Sequence, residues 1–314
     1  MEYGLIGEHL GHSWSVEIHG LIAPYSYELC ELAPDELGPF LKARQFKGLN
    51  VTIPYKEAVI PYLDELSPEA QIIGAVNTIL HSDGKLIGFN TDYYGFSALA
   101  AHAGIKFAGM SVLILGAGGA AKAVRAVATN EGAARIVNAV RHYSNEVLAD
   151  RHSPSITTDN SSNELQPNNN SIEPNGCLTE SGNDLHSRQK STYVECLYEN
   201  IKCKDYDIIV NATPVGMYPH VDQRLLNLND FPKLCGVLDC VYNPGHTLLV
   251  KDAKKLGVPA DGGLFMLVAQ AVRAGAIFTG NAEEKSAGEV VELSQVEKIY
   301  EYMRNMHNFA IAFD

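Results

Sequence analysis

Residues 111–128, SVLILGAGGAAKAVRAVA, decide the fold. Val112, Leu113, Ile114 and Leu115 make the unbroken apolar run of a parallel strand buried on both faces. Gly116, Gly118 and Gly119 then form a turn before the small residues Ala120 and Ala121, and the alanine-rich stretch that follows reads as a helix. Gly116 can take the backbone angles of a tight turn, and Gly118 lets a ligand approach the main chain. Ala121 holds the small-residue place of G-x-G-x-x-G/A, where helix must pack on strand. The first N–H groups of the helix and the positive end of its dipole favour a pyrophosphate. A glycine-rich turn with no ligand would use some of the same residues; the strand before and the helix after select a dinucleotide site over Gly116, Ala117, Gly118, Gly119 and Ala120.

The next strand refines the cofactor. Residues 134–140, ARIVNAV, read as the second strand, and an NAD site places an acid at about this distance, roughly 20 residues beyond the glycines. Here the strand ends in Arg141 and His142. A guanidinium at that position suits the 2′-phosphate of NADP, although an ordinary surface arginine would look the same.

The chain of 314 residues has room for two domains, and 46% hydrophobic with 19% charged residues is a globular composition. A net charge of -13 argues against nucleic acid or an anionic membrane surface as the main partner and leaves a local phosphate pocket possible. The opening MEYGLIGEHLGHS lacks a basic segment followed by an apolar core, and no apolar run reaches the roughly 18 residues of a membrane span, so a cytoplasmic location is expected. Cys30, Cys177, Cys196, Cys203, Cys235 and Cys240 include no C-x-x-C pair, which points to free thiols and to neither zinc nor a disulfide framework. His12 and His19 have no acidic or cysteine partner at ligand spacing, and no metal is expected.

Strands alternate with helices through the first third: a strand at 3–6, a helix entered at Ser15 as its N-cap, a strand at 27–31, and a helix at 35–43. A strand at 48–54 is followed by Tyr55, Lys56 and a helix to Tyr62. Strands at 74–80 and 85–89 precede a helix that begins at Tyr93. Two α/β domains are therefore expected, a substrate domain of residues 1–92 plus 264–314 and a Rossmann-like domain of residues 93–263, with the long helix at 264–278 folding back on the first. Residues 153–190 are rich in Asn, Ser, Thr and Pro and read as a disordered or loosely ordered insertion.

In open α/β sheets ligands bind at the carboxyl ends of strands. Lys56 and Asp92 each follow a strand end in the first domain, and such a pair can move a proton at a substrate oxygen while a nicotinamide exchanges hydride. A solvated lysine and a turn-capping aspartate would have the same spacing. Ser13 and Ser15, at a loop entering a helix, suit a carboxylate, and Ser15 equally suits a plain N-cap. Asn50, Asn77 and Asn90 could each hold a turn or present an amide to a polyol.

Eight motifs occur in order: GHSWS at 11–15, GLNVTIPYK at 48–56, GAVNT at 74–78, GFNTD at 88–92, GAGGA at 116–120, NATPVGM at 211–217, VYNP at 241–244 and GGLFMLVAQA at 262–271. Through them the chain resembles the shikimate dehydrogenase family. The resemblance implies reversible NADP-dependent reduction of 3-dehydroshikimate to shikimate, on the route to aromatic amino acids. It implies Ser13 and Ser15 on the substrate carboxylate with Tyr242 closing on it, Thr52, Asn77 and Gln270 on the ring hydroxyls, and Lys56 and Asp92 as the catalytic pair. It places Thr213, Met217 and Gly263 around the nicotinamide side. Small-molecule ligands are the expected partners, with a homodimer left open.

The chain departs from the family's pattern at His9, Val16 and Gly20, and Asn138 and Arg141 stand apart where the family has a contiguous Asn-Arg-Thr. Arg141 is taken for the phosphate by its place at the strand end. The stretch at 288–306 reads as one helix beyond the family's usual end and 308–314 as an unpartnered strand, a remnant of or junction to a further domain. Two other readings stand beside the main one: a quinate/shikimate dehydrogenase using NAD, and a catalytically silent shikimate-binding regulator.

Overall fold

The computed structural model describes residues 1–11, 13–141, 178–181, 192–280 and 293–307. It is mixed α/β, with one sheet of six strands and one of seven.

The apolar run at its centre is strand β7 (Ser111–Leu115), followed by helix α5 (Gly119–Asn130) and strand β8 (Arg135–Val140). Val112, Leu113, Ile114 and Leu115 are fully buried, as a strand covered on both faces requires. Around β7 lie β9 (Leu178–Ser181), β10 (Thr192–Leu197), β11 (Ile208–Asn211), β12 (Gly236–Asp239) and β13 (Ala260–Asp261), in the order β13-β12-β11-β7-β8-β10-β9. All pair in parallel except β9, which runs antiparallel to β10. The chain leaves β7 toward β8 on one side and later returns to β11 on the other. The crevice between the carboxyl ends of β7 and β11 is therefore the topological switch point, where an open α/β sheet binds its ligand.

The six-stranded sheet has the order β2-β1-β3-β5-β6-β4, from β1 (Tyr3–Gly7), β2 (Tyr27–Glu31), β3 (Gly48–Val51), β4 (Glu65–Leu66), β5 (Thr78–Ser82) and β6 (Lys85–Phe89). Strand β5 is antiparallel to both β3 and β6. The carboxyl ends of β3 and β6 and the amino end of β5 therefore share one edge, and Lys56, Asn77 and Asp92 all emerge there.

Helices α4 (Thr91–His102) and α7 (Leu264–Phe278) join the two sheets. A Cβ on Gly95 would stand 2.6 Å from the Met266 carbonyl oxygen, so these helices touch backbone to backbone. One apolar cluster runs through Ile18 of α1 (Ser15–Ile22), Phe96 and Leu99 of α4, Val112 and Ile114 of β7, Val124 of α5, Phe265 and Val268 of α7, and Val296, Ile299 and Met303 of α8 (Leu293–Met306). Each large side chain buried there contributes about 1.5–3 kcal/mol.

Several local expectations are corrected. No α-helix runs to Tyr62; residues 55–59 are turns leading into a 3-10 helix, Ile60–Tyr62, because Pro61 lacks the N–H that an α-helix would donate to the Glu57 carbonyl. The strand expected at 74–80 begins at Thr78, since Gly74, at φ +66°, is the left-handed C-cap of helix α3 (Pro68–Ile73). Helix α4 starts at Thr91, with Asn90 Oδ1 accepting from the Tyr93 N–H. Ser15 is the first residue of α1 and not its cap; Trp14 holds that position without a side-chain cap bond. Within 153–190, read as disordered or loosely ordered, residues Leu178–Ser181 form the edge strand β9, and the rest of the tract lies outside the described residues. The strand expected at 308–314 lies outside the described residues, as do residues 288–292 of the expected tail helix.

Candidate active site

Lys56 Nζ donates to Asp92 Oδ2 at 2.6 Å, and the two side chains are 18% and 9% exposed. Lys56 stands in the turns after β3, and Asp92 in the first turn of α4, where the helix dipole favours a negative charge. Asn77 Nδ2 donates to the other carboxylate oxygen, Asp92 Oδ1, at 3.0 Å, and Asn77 Oδ1 accepts the Thr91 N–H at 2.7 Å. Both carboxylate oxygens are thus held. Thr91 Oγ1 lies 3.4 Å from Gln270 Oε1, which brings α7 to the same spot.

The network continues under the sheet edge. Thr78 Oγ1 lies 3.2 Å from Asn77 Oδ1, Asn50 Nδ2 donates to Thr78 Oγ1 at 3.0 Å, and Tyr27 OH donates to Asn50 Oδ1 at 2.7 Å. Tyr27 and the Lys56–Asp92 pair are thus ends of one chain of hydrogen bonds. Buried and satisfied on both sides, such a chain is rigid. Asn50 and Asn77 belong to this network, whereas Asn90 caps α4 and donates to the Ala75 carbonyl. Ser13 Oγ donates to Ser15 Oγ at 3.0 Å and accepts the Ser15 N–H at 3.2 Å.

His19 covers the network from α1. Its ring stacks on Tyr27 with centroids 3.9 Å apart, its Nδ1 is 2.7 Å from Tyr25 OH, and burial pushes its pKa down to about 3. Unfolded, His19 takes up a proton near pH 6.5; folded, only near pH 3. Stability is therefore lost as pH falls from 6.5 toward 3, by on the order of 1.4 kcal/mol per pH unit from this group. Asp239 opposes it, because burial raises its carboxyl to about 6 and stability from that group falls as pH rises from its usual value of 3.8. Urea unfolding at pH 6.5 and pH 5 isolates His19 by difference. Wild type is expected to lose roughly 2 kcal/mol more than His19→Gln over that interval, and equal losses would exclude a neutral buried imidazole.

The glycine turn faces this pair across the two sheets. A Cβ on Gly119 would lie 3.0 Å from Lys56 Cδ, so the dinucleotide loop and the lysine stem are in contact. Gly116, at φ +108°, lies against Ala212 and Thr213, where a Cβ would meet the Ala212 carbonyl oxygen at 3.0 Å. A Cβ on Gly118 would meet nothing within 4 Å, and Ala117 and Gly118 are exposed. With α5 capped by no side chain, this open cradle of backbone N–H groups fits a pyrophosphate. Lys122 Nζ on α5 pairs with Glu57 Oε1 at 2.8 Å, a further tie between the two sheets.

The remaining candidates fall into three places. Thr213 Oγ1 donates to Asn211 Oδ1 at 2.7 Å beside the glycine turn, and Gly263 caps α7 against Cys240. Thr52 lies in the turn four residues before Lys56, and the Tyr242 ring packs 5.0 Å from Trp14. Met217 is exposed, and so is Arg141, which directly follows β8. Tyr27, Thr78, Thr91 and Trp14 had not been singled out from sequence; the only signal for Thr78 and Thr91 was their place within GAVNT and GFNTD.

No helix among the described residues is long and apolar enough to cross a membrane. Residues 5–79 match the family model for the shikimate dehydrogenase substrate binding domain. A shikimate dehydrogenase (NADP(+)) of Clostridium beijerinckii is 35% identical over 280 residues, covering 87% of this chain and 89% of that protein. Shikimate dehydrogenase 1 of Peptoclostridium difficile superposes with a TM-score of 0.72 at 30% identity, over 97% of this chain and 98% of that one. The shikimate 5-dehydrogenase of Thermus thermophilus, solved with NADP(H) and shikimate, gives a TM-score of 0.69 at 28% identity over 96% and 99% of the two chains.

Proposed function

This chain belongs to the shikimate dehydrogenase family, and from that premise we infer that it is an NADP-dependent oxidoreductase reversibly reducing 3-dehydroshikimate to shikimate, a step of aromatic amino acid biosynthesis. One observation carries the reading: the amine of the Lys56–Asp92 ion pair belongs to the side chain that touches the dinucleotide loop at Gly119. Proton and hydride chemistry must meet at one carbon–oxygen bond, and only an arrangement of this kind lets them.

NADP, when bound, supplies or accepts the hydride. The N–H groups over Gly116, Ala117, Gly118, Gly119 and Ala120 would hold its pyrophosphate, Arg141 its 2′-phosphate, and Thr213, Met217 and Gly263 would border the nicotinamide side. Ser13 and Ser15 would bind the substrate carboxylate with Tyr242 over it, and Thr52, Asn77 and Gln270 the ring hydroxyls. In the reductive direction Lys56 Nζ gives a proton to the substrate oxygen as its carbon gains hydride. Asp92, anchored by Asn77, keeps the lysine aimed and the proton shared. The division into residues 1–92 plus 264–314 and 93–263, and a cytoplasmic location, go with this reading.

The test follows absorbance of the reduced nicotinamide while shikimate and then quinate are offered with NADP and with NAD. Fast NADP reduction with shikimate alone is the expected result. Equal rates with quinate and NAD would make it a quinate/shikimate dehydrogenase. Stabilisation by shikimate with no turnover for any pair would make it a binding protein.

A further inference from the structure

Trp14, the only tryptophan of the chain, sits between the two serines assigned to the substrate carboxylate. Its ring stacks on His307, which directly follows α8, with centroids 4.3 Å apart and planes 19° from parallel. His307 Nε2 in turn lies 2.8 Å from Glu17 Oε2, two residues after Ser15 on α1. At the opposite end, Gln295 Nε2 donates to the Ile22 carbonyl at 3.2 Å, so α8 lies antiparallel along α1 and is tied to it at both ends. Tyr242 meets the indole at 5.0 Å, which places Trp14 between two rings from distant parts of the chain.

We propose that α8 is part of the substrate site, with His307 as a positioning residue that holds Trp14 and so sets the 13–15 loop for the carboxylate. The proposal rests on the functional reading above and deepens it. Anchorage of α8 does not need His307, because Val296, Ile299 and Met303 are buried in the main core, while the His307 side chain is 28% exposed. The stack therefore acts on the loop more than on the fold. With the imidazole removed, the indole gains rotamers, and Ser13 and Ser15 must be ordered by the substrate itself. That ordering weakens binding in ground state and transition state alike, so it raises KM and leaves kcat in place.

The test compares wild type, His307→Ala and His307→Phe in shikimate oxidation with NADP, together with Trp14 emission and melting temperature. For His307→Ala the expected KM for shikimate is about tenfold higher, the upper end for loss of one aromatic pair, with kcat within about twofold. KM for NADP stays unchanged and Trp14 emission shifts to the red. His307→Phe, which refills the stack with a flat ring, returns both KM and emission most of the way. An unchanged KM for shikimate in His307→Ala overturns the proposal. So does a fall in kcat that accompanies a similar rise in both KM values, or a KM that the phenylalanine leaves uncorrected. If wild type binds shikimate without turnover, Kd from Trp14 quenching replaces KM and the same tenfold is expected. If wild type neither turns over nor binds shikimate, it is the functional reading that has failed, and the proposal falls with it.

Discussion

Replacing Lys56 with alanine is expected to lower kcat for shikimate oxidation by a factor on the order of 10² to 10⁴, with a modest change in KM, the scale of a positioned acid/base group. No other described amine lies within ion-pair distance of Asp92, so nothing in the site replaces Lys56 Nζ at 2.6 Å from the carboxylate. The variant also strands Asp92, which is 9% exposed and left with Asn77 as its neutral partner. A carboxylate that loses its cation in a half-dry site destabilises the fold, so the rate is to be read beside a melting curve. Lys56→Ala combined with Asp92→Asn removes that penalty. If the two act as one unit, the double variant is about as slow as Lys56→Ala alone and melts higher. A turnover number unchanged in Lys56→Ala would remove the lysine from the mechanism, and multiplied effects in the double variant would separate the two roles.

Legibility of this chain follows the range of the interactions. The β7–α5 unit could be read because its signals are local: an apolar run, glycines and small residues in consecutive positions. Lys56 and Asp92 could be named because each stands just past a strand end, and the sheet order then brings those ends together. Tyr27, Asn50 and Thr78 are different. They are 23 and 28 residues apart and meet only because β1 lies between β2 and β3 while β5 pairs antiparallel to β3. Nothing local announces that contact. Helix α3 is the opposite case, since Ser67, Pro68 and Gly74 supply an N-cap, a first-turn proline and a left-handed C-cap in plain sequence. No expected element covers its six residues, which fall between the helix ending at Tyr62 and the strand at 74–80. The tail could be read as a helix from its periodicity, but its seat against α1 depends on Trp14 and His307, 293 positions apart, and no periodicity carries that.

Gly263→Ala is expected to cost about 3 kcal/mol or more, lower the melting temperature by roughly 5 °C or more, and slow turnover as well. The reason is space and not backbone conformation, because Gly263 has φ -72° and ψ -1°, angles open to any residue. A Cβ there would stand 2.2 Å from the Cys240 carbonyl oxygen and 2.5 Å from its carbon. Backbone cannot rotate away as a side chain can, so the start of α7 and the end of β12 must part. Two consequences follow from where that seam lies. The Gly263 N–H donates to the Val241 carbonyl at 2.9 Å, a bond that the separation stretches. Gln270, two turns along α7, lies 3.4 Å from Thr91, the residue before Asp92, so movement of the helix is felt at the Lys56–Asp92 pair. Gly20→Ala serves as the comparison. Gly20 lies within α1, a Cβ there would meet nothing within 4 Å, and alanine is expected to be neutral or to stabilise by roughly 0.5–1 kcal/mol. If Gly263→Ala melts with wild type while Gly20→Ala behaves as expected, the close approach of α7 to β12 is absent in solution. If both destabilise equally, the loss at Gly263 has nothing to do with that seam.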